Sequence, residues 1–392
     1  MRIAVVTIGR VYKAYGGTEK VFFDMVNNFA MRGHEVTAIT SDAHKGEPAF
    51  FVDPSVRWIN CVVPSISKII PGILRSFLFL CGNKRVRLEN KLKLKHKNRA
   101  TLFSQAIQSS KPDVVIAYQP VTTYILREIV SVKEPLITMF HFSPKLIIDN
   151  DEFEIYKRAI NESSCVQVLM PEYVNFFKSV FPCAEIAYIP NVVPQYCDYP
   201  DYSSKKIINV ARLSKSQKRQ HLIIEAFALL KDRFPDWTVE LWGEAEFPDY
   251  ARELEDLIQR RGLSGRVKLC GPTQDVKAKL KQSSIFCFPS SWEGMPLAMT
   301  EAMSQGLPIV GCADCPSVNT IIRDGQNGFL CEDSPDSIAS RLTVLMEDQS
   351  LRESFGKQAK QDMTNYAPEL IWDQWETLIK KISLSGMEVG LL

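Results

Sequence analysis

Residues 3–40, IAVVTIGRVYKAYGGTEKVFFDMVNNFAMRGHEVTAIT, hold three structural elements in a row. The run 3–7 is short, apolar and rich in Val, as a buried strand requires. From about residue 17 to 31, Val21, Phe22, Met25, Val26 and Phe29 recur at three- and four-residue spacing, which is one face of a helix. Residues 36–40 then return to a strand. A strand, a crossover helix and a second strand in so short a span predict a parallel sheet. The same alternation continues, with strands at 113–117, 136–140, 165–169 and 186–189. These complete one doubly wound α/β domain over 1–190.

Residues 191–204 carry Pro194 and Pro200 among polar and aromatic residues with little periodicity, and read as a linker. Beyond it the pattern restarts, with a helix at 219–233 and strands at 207–211, 239–242, 267–270, 285–289 and 308–311. A second α/β domain is therefore expected over 205–367. A last helix, 368–392, carrying Trp372 and Trp375, is expected to pack back on the first domain. Two domains also suit a length of 392 residues, more than one core usually organises.

With 47 basic against 45 acidic side chains, the net charge of +2 singles out no partner. The ten cysteines lack the spacing of a disulfide framework, and the Cys312/Cys315 pair has no second pair to complete a zinc site. Reduced thiols in a cytoplasmic protein are the expectation. The run 3–8 is too short for a signal segment, and the longest apolar run, 69–81, is interrupted by Arg75, so no membrane-spanning segment is expected.

Gly16 and Gly17 stand between the first strand and its helix, where bare backbone N–H groups can approach a phosphate. The full G-x-G-x-x-G spacing is absent, and a plain turn uses the same pair. His141 follows the strand 136–140, at the carboxyl end where doubly wound sheets bind ligands, although a satisfied loop histidine has the same signature. Arg212 ends the strand 207–211, and Lys218 precedes the next helix. Two cations so placed suit a diphosphate, a solvated surface cluster being the alternative. Their neighbours Lys215 and Arg219 read as solvated charge.

The richest segment is SSWEGMPLAMTEAM, residues 290–303, directly after the strand 285–289. Gly294 brings backbone close, and Met295, Pro296 and Leu297 lead into a helix, Pro being favoured in a first turn. Glu293 stands before that helix and Glu301 two turns into it. One carboxylate can meet sugar hydroxyls while the other accepts from ribose hydroxyls. Asp149-Asn150-Asp151 reads as a helix-capping loop, not a metal pair. Between 84 and 99, eight Lys and Arg face a single acid, Glu89, after the apolar run. Such a segment, 69–99, suits an anionic membrane surface, or is an exposed helix with solvated lysines. No aromatics interleave with it, so no nucleic acid is expected.

Taken together, Gly16-Gly17, His141, Arg212, Lys218 and the pair Glu293 and Glu301 resemble the retaining glycosyltransferases of family 4. The resemblance covers the whole chain and implies the GT-B fold, two Rossmann-like domains facing each other across a cleft. It implies transfer of a hexose or N-acetylhexosamine from a nucleotide diphosphate sugar, a UDP-sugar, as in bacterial surface-polysaccharide and lipopolysaccharide enzymes. The acceptor would be a glycan or a polyprenyl-diphosphate- or lipid-linked glycan, met by the first domain at the inner face of the cytoplasmic membrane. Configuration would be retained by a front-face reaction, with no metal and no other cofactor.

By the same resemblance Arg212 and Lys218 neutralise the leaving diphosphate, and Glu293 holds the donor sugar with the backbone of Gly294, Met295, Pro296 and Leu297. Glu301 holds the ribose, Gly16 and Gly17 close over the phosphates, and His141 lies near the reacting sugar. A nucleotide-sugar 2-epimerase has the same fold but fits the spaced glutamates less well. A non-catalytic nucleotide-sugar-binding protein would be expected to have lost these charges.

Overall fold

The computed structural model describes residues 1–9, 11–14, 16–63, 84–147 and 150–389. The apolar part of the 69–99 segment and Asp149 lie outside them. The chain forms two compact units, one of Met1–Pro190 with Trp372–Leu392, the other of Asn191–Ile371.

The first unit is built on a parallel sheet of seven strands. They are β1 (Arg2–Ile8), β2 (Glu35–Ser41), β3 (Arg57–Asn60), β4 (Val114–Ala117), β5 (Leu136–Met139), β6 (Cys165–Val168) and β7 (Glu185–Tyr188). Their order is β3-β2-β1-β4-β5-β6-β7. The centre of β1 is buried on both faces, from Ile3 to Val6, which is why it reads as a continuous apolar run without alternation. The helix Gly17–Met31 buries Phe22, Phe23, Met25, Val26 and Phe29. Strand order reverses direction between β1 and β4, so the carboxyl ends of these two strands flank a crevice.

From Trp372 onward the helix Pro368–Val389 belongs to this first unit. Trp372 and Trp375, both buried, meet the Phe29 ring edge-on at 5.9 and 6.3 Å. Asp373 pairs with Arg32 at 2.7 Å, and Glu376 pairs with His34. The two indoles supply the larger share of this docking, since each removes a large apolar area from water.

The second unit holds six parallel strands: β8 (Lys206–Val210), β9 (Thr238–Trp242), β10 (Val267–Gly271), β11 (Ile285–Phe288), β12 (Ile309–Cys312) and β13 (Gly328–Cys331). Their order is β10-β9-β8-β11-β12-β13, with the reversal between β8 and β11. Buried Asn209 on β8 crosses that junction, its Nδ2 donating to the Cys287 carbonyl of β11 at 2.8 Å. The core gathers Ile207, Ile224, Phe227, Val239, Leu241 and Leu342.

Residues 191–204, expected as a linker, are packed into this second unit. Tyr202 Oη donates to the Gly306 carbonyl at 2.7 Å, and Lys360 Nζ donates to the Asp198 carbonyl at 3.0 Å. β3 and β13, absent from the sequence reading, are four-residue strands at the sheet edges. None of the described helices is long and apolar enough to cross a membrane.

Candidate functional site

In the second unit the loops after β8 and β11 meet at the reversal of strand order. The β8 loop is folded by its own hydrogen bonds. Ser214 O accepts from Lys218 N at 3.1 Å and Arg219 N at 2.8 Å, and Arg219 takes a left-handed φ of 52° to enter the helix Gln220–Leu230. The buried Gln220 side chain braces the turn, accepting from Ser214 N at 3.2 Å and donating to the Arg212 carbonyl at 3.1 Å. The turn's bonds to the β11 loop include Ser291 N to Gln217 O at 2.9 Å, Ser291 Oγ to Ser216 O at 2.8 Å, and Gln217 Nε2 to Trp292 O at 3.1 Å.

This joining sets Lys218 Nζ 2.5 Å from Glu293 Oε1, with side chains 16% and 8% exposed. The ammonium also stands 5.2 Å from the centre of the Phe288 ring, whose face attracts a cation. Desolvation offsets much of the attraction in so buried a pair, so its contribution to stability is small. Its chemical value is preorganisation: a cation held in place needs little rearrangement to meet a developing negative charge. Arg212 is more open, 53% exposed in its side chain, 3.4 Å from Glu246 and 3.4 Å from Gln217 Oε1.

Beyond Gly294, Met295 is buried and its sulfur accepts from Asn191 N at 3.2 Å. Pro296 caps the helix Leu297–Gln305 in an extended conformation. Glu301, half-buried on that helix, lies near Tyr196, whose phenol is pushed up by burial and then by the glutamate charge. Two residues of this region were not evident from the sequence. Gln217 ties the two loops together, and Gly243, at φ +152°, lets the end of β9 approach Ala211.

Arg219 corrects an expectation. Its side chain is only 12% exposed; Nε donates to the Pro289 carbonyl at 2.8 Å, and the guanidinium pairs with Asp333. It is a buried support of the β11 loop, not solvated charge. Lys215 is open, pairing with Glu253 at 2.6 Å on the surface.

In the first unit, Gly16 precedes the helix Gly17–Met31 with an ordinary extended backbone, φ −76°. A Cβ there would meet only the carboxylate end of the Glu19 side chain, at 2.2 Å, which can swing aside, so neither backbone nor space demands glycine at 16. His141 lies just past β5, with its ring 4.0 Å from that of Tyr118, which follows β4. Burial lowers the His141 pKa to about 4, so the imidazole is neutral near pH 7. A hydrogen bond to the Tyr118 main chain opposes that shift, and Nε2 is covered with no partner among the described residues. Tyr118 Oη donates to the Thr18 carbonyl at 2.7 Å, in the first turn after Gly16 and Gly17. No sequence motif marks Tyr118. Asn150 caps the helix Asp151–Asn161, accepting from Glu152 N at 2.9 Å.

Against known protein families, residues 201–362 match the one described as Glycosyl transferases group 1. The exopolysaccharide phosphotransferase SCO2592 of Streptomyces coelicolor is 32% identical over 200 residues, half of this chain but 21% of that longer protein. An uncharacterized glycosyltransferase of Haemophilus influenzae is 23% identical over 369 residues, 93% of this chain and 96% of its own. Among solved structures, Anabaena HepE in complex with UDP and glucose superimposes with a TM-score of 0.71 at 19% identity, over 96% of this chain and 99% of that one. The fold is therefore GT-B, with a Rossmann-like sheet in each unit. Lys218, Glu293 and Arg212 all fall inside the matched residues, on the loops at the reversal of strand order in the second sheet.

Proposed function

We propose that the chain is a retaining glycosyltransferase that moves a hexose or N-acetylhexosamine from a UDP-sugar to a glycan or lipid-linked glycan, without a metal. The observation that carries this reading is the buried Lys218–Glu293 pair on the switch-point loops of a group 1 transferase domain. The UDP and glucose bound by HepE support the choice of donor. In this reading Lys218 and Arg212 take up the charge of the diphosphate as the sugar–phosphate bond breaks. Glu293 and the backbone from Gly294 to Leu297 hold the sugar, and Glu301 accepts from the ribose hydroxyls. Gly16 and Gly17 are assigned to the donor phosphates, and His141, kept neutral, to a hydroxyl of the reacting sugar.

The acceptor oxygen bonds to the anomeric carbon on the face the diphosphate leaves, and the departing phosphate oxygen takes the acceptor's proton. Retention then needs no covalent enzyme intermediate, and no side chain acts as nucleophile. The exposed cations from Lys84 to Lys97 are assigned to an anionic membrane carrying the acceptor.

The test is turnover of UDP-sugars by the wild type and by Lys218→Ala. The variant is expected to lose about 10²- to 10³-fold in kcat, as when one preorganised donor to a developing anion is removed. Turnover within a few-fold of wild type would take Lys218 out of the reaction.

A further inference from the structure

We propose that Tyr118 is the positioning residue for His141, fixing which ring nitrogen is free and tying the imidazole to the turn after Gly16 and Gly17. The inference rests on the reading of His141 as a donor-site residue. It goes further by naming what sets that histidine's state. Three contacts carry it. The two rings lie 4.0 Å apart at 34°, close enough for the phenol ring to cover one face of the imidazole. The hydrogen bond between His141 and the Tyr118 main chain favours protonation of the imidazole, so the ring donates and a carbonyl accepts. Nε2 has no partner among the described residues, so it is the nitrogen left to a ligand.

The third contact is the bond from Tyr118 Oη to Thr18 O, 2.7 Å, which joins the ends of β4 and β5 to the start of the helix Gly17–Met31. That start follows β1, so residues on both sides of the sheet's reversal are tied through one phenol. Tyr118 is itself 1% exposed. The charged groups acting on it are Glu19 and Asp24 of the same helix, which add to burial in raising its phenol. The remaining neighbours of His141 in its own segment, Phe142 and Ser143, carry no charge.

Two substitutions separate these parts. Tyr118→Leu removes the covering ring, and His141, opened to water, should titrate near the ordinary 6.5 in place of about 4. Since the neutral imidazole is the working form, the acid limb of kcat should rise with it, and activity at pH 6 should fall relative to pH 8. Tyr118→Phe keeps the ring and the main-chain bond while cutting the tether to Thr18. His141 should then titrate as in the wild type, while donor KM rises about fivefold, the loss of one ordinary hydrogen bond.

The experiment is ¹⁵N imidazole NMR of the full chain against pH, with His141 identified among five histidines by its disappearance in His141→Gln. It is paired with kcat and KM profiles of the same proteins. An unchanged His141 titration and tautomer in Tyr118→Leu, or an unchanged donor KM in Tyr118→Phe, would overturn the proposal. The NMR titration needs no turnover. Wild type that turns over no nucleotide sugar, yet shows His141 neutral to about pH 4 and released in Tyr118→Leu, would fail the transferase reading and uphold the positioning.

Discussion

A methyl group at position 243 would land 2.0 Å from the Ala211 carbonyl oxygen, on a residue whose φ of +152° disfavours any side chain. Gly243→Ala is expected to cost more than about 1 kcal/mol, read as a lower denaturant midpoint at unchanged slope; wild-type stability would show that the β9 end can move aside. The position illustrates what one sequence withholds. Lys218 and Glu293 stood out because the chemistry of each residue type, set beside a strand end, suggests a ligand, and the structure pairs them. Gly243, Gln217 and Tyr118 act through partners far along the chain. Arg219 was misread for the same reason, because Asp333 and Pro289 are close only in the fold. Nothing in the residues around 219 distinguishes a buried guanidinium from a solvated one.

The helix Lys84–Ser110 carries the basic run on one side and buries Leu92, His96, Ala100 and Phe103 on the other. Seven of its eight expected cations are exposed, from Lys84 to Lys97. The eighth, Arg99, turns inward, with Nε donating to Ser41 Oγ at 2.8 Å and Nη1 2.7 Å from His96 Nδ1. Glu89 and Asp151 engage Lys93 and Lys84, at 2.8 and 2.7 Å, so the field of the exposed face is less than its count of cations. Each remaining cation contributes on the order of 1 kcal/mol at an anionic surface. Replacing Lys91, Lys93, Lys95 and Lys97 by Gln is expected to reduce sedimentation with anionic vesicles while leaving donor turnover intact. Equal sedimentation of variant and wild type would remove this helix from the membrane. The helices Gly17–Met31, Gln220–Leu230 and Pro368–Val389 and the central strands were legible. The edge strands β3 and β13 were not, because β3, RWIN, mixes charged, polar and apolar residues and β13, GFLC, opens on a glycine.

At the scale of the molecule, two parallel sheets with reversed strand order were readable from alternation alone, since each strand buried on both faces must be apolar and each crossover must be a helix. The packing of 191–204 was not readable, because its contacts are with residues near 304 and 360. The proposed function requires residues 201–362 to bind a nucleotide sugar through Lys218, Glu293 and Glu301. The most direct test is the stability of the purified chain with UDP-, GDP-, ADP- or dTDP-sugars, wild type beside Glu301→Ala. Ligand at a hundredfold its Kd should add about 2.7 kcal/mol to the wild type. The prediction is stabilisation by UDP-sugars, reduced in Glu301→Ala. No stabilisation by any of the four, or the same gain in the variant, would contradict the assigned site.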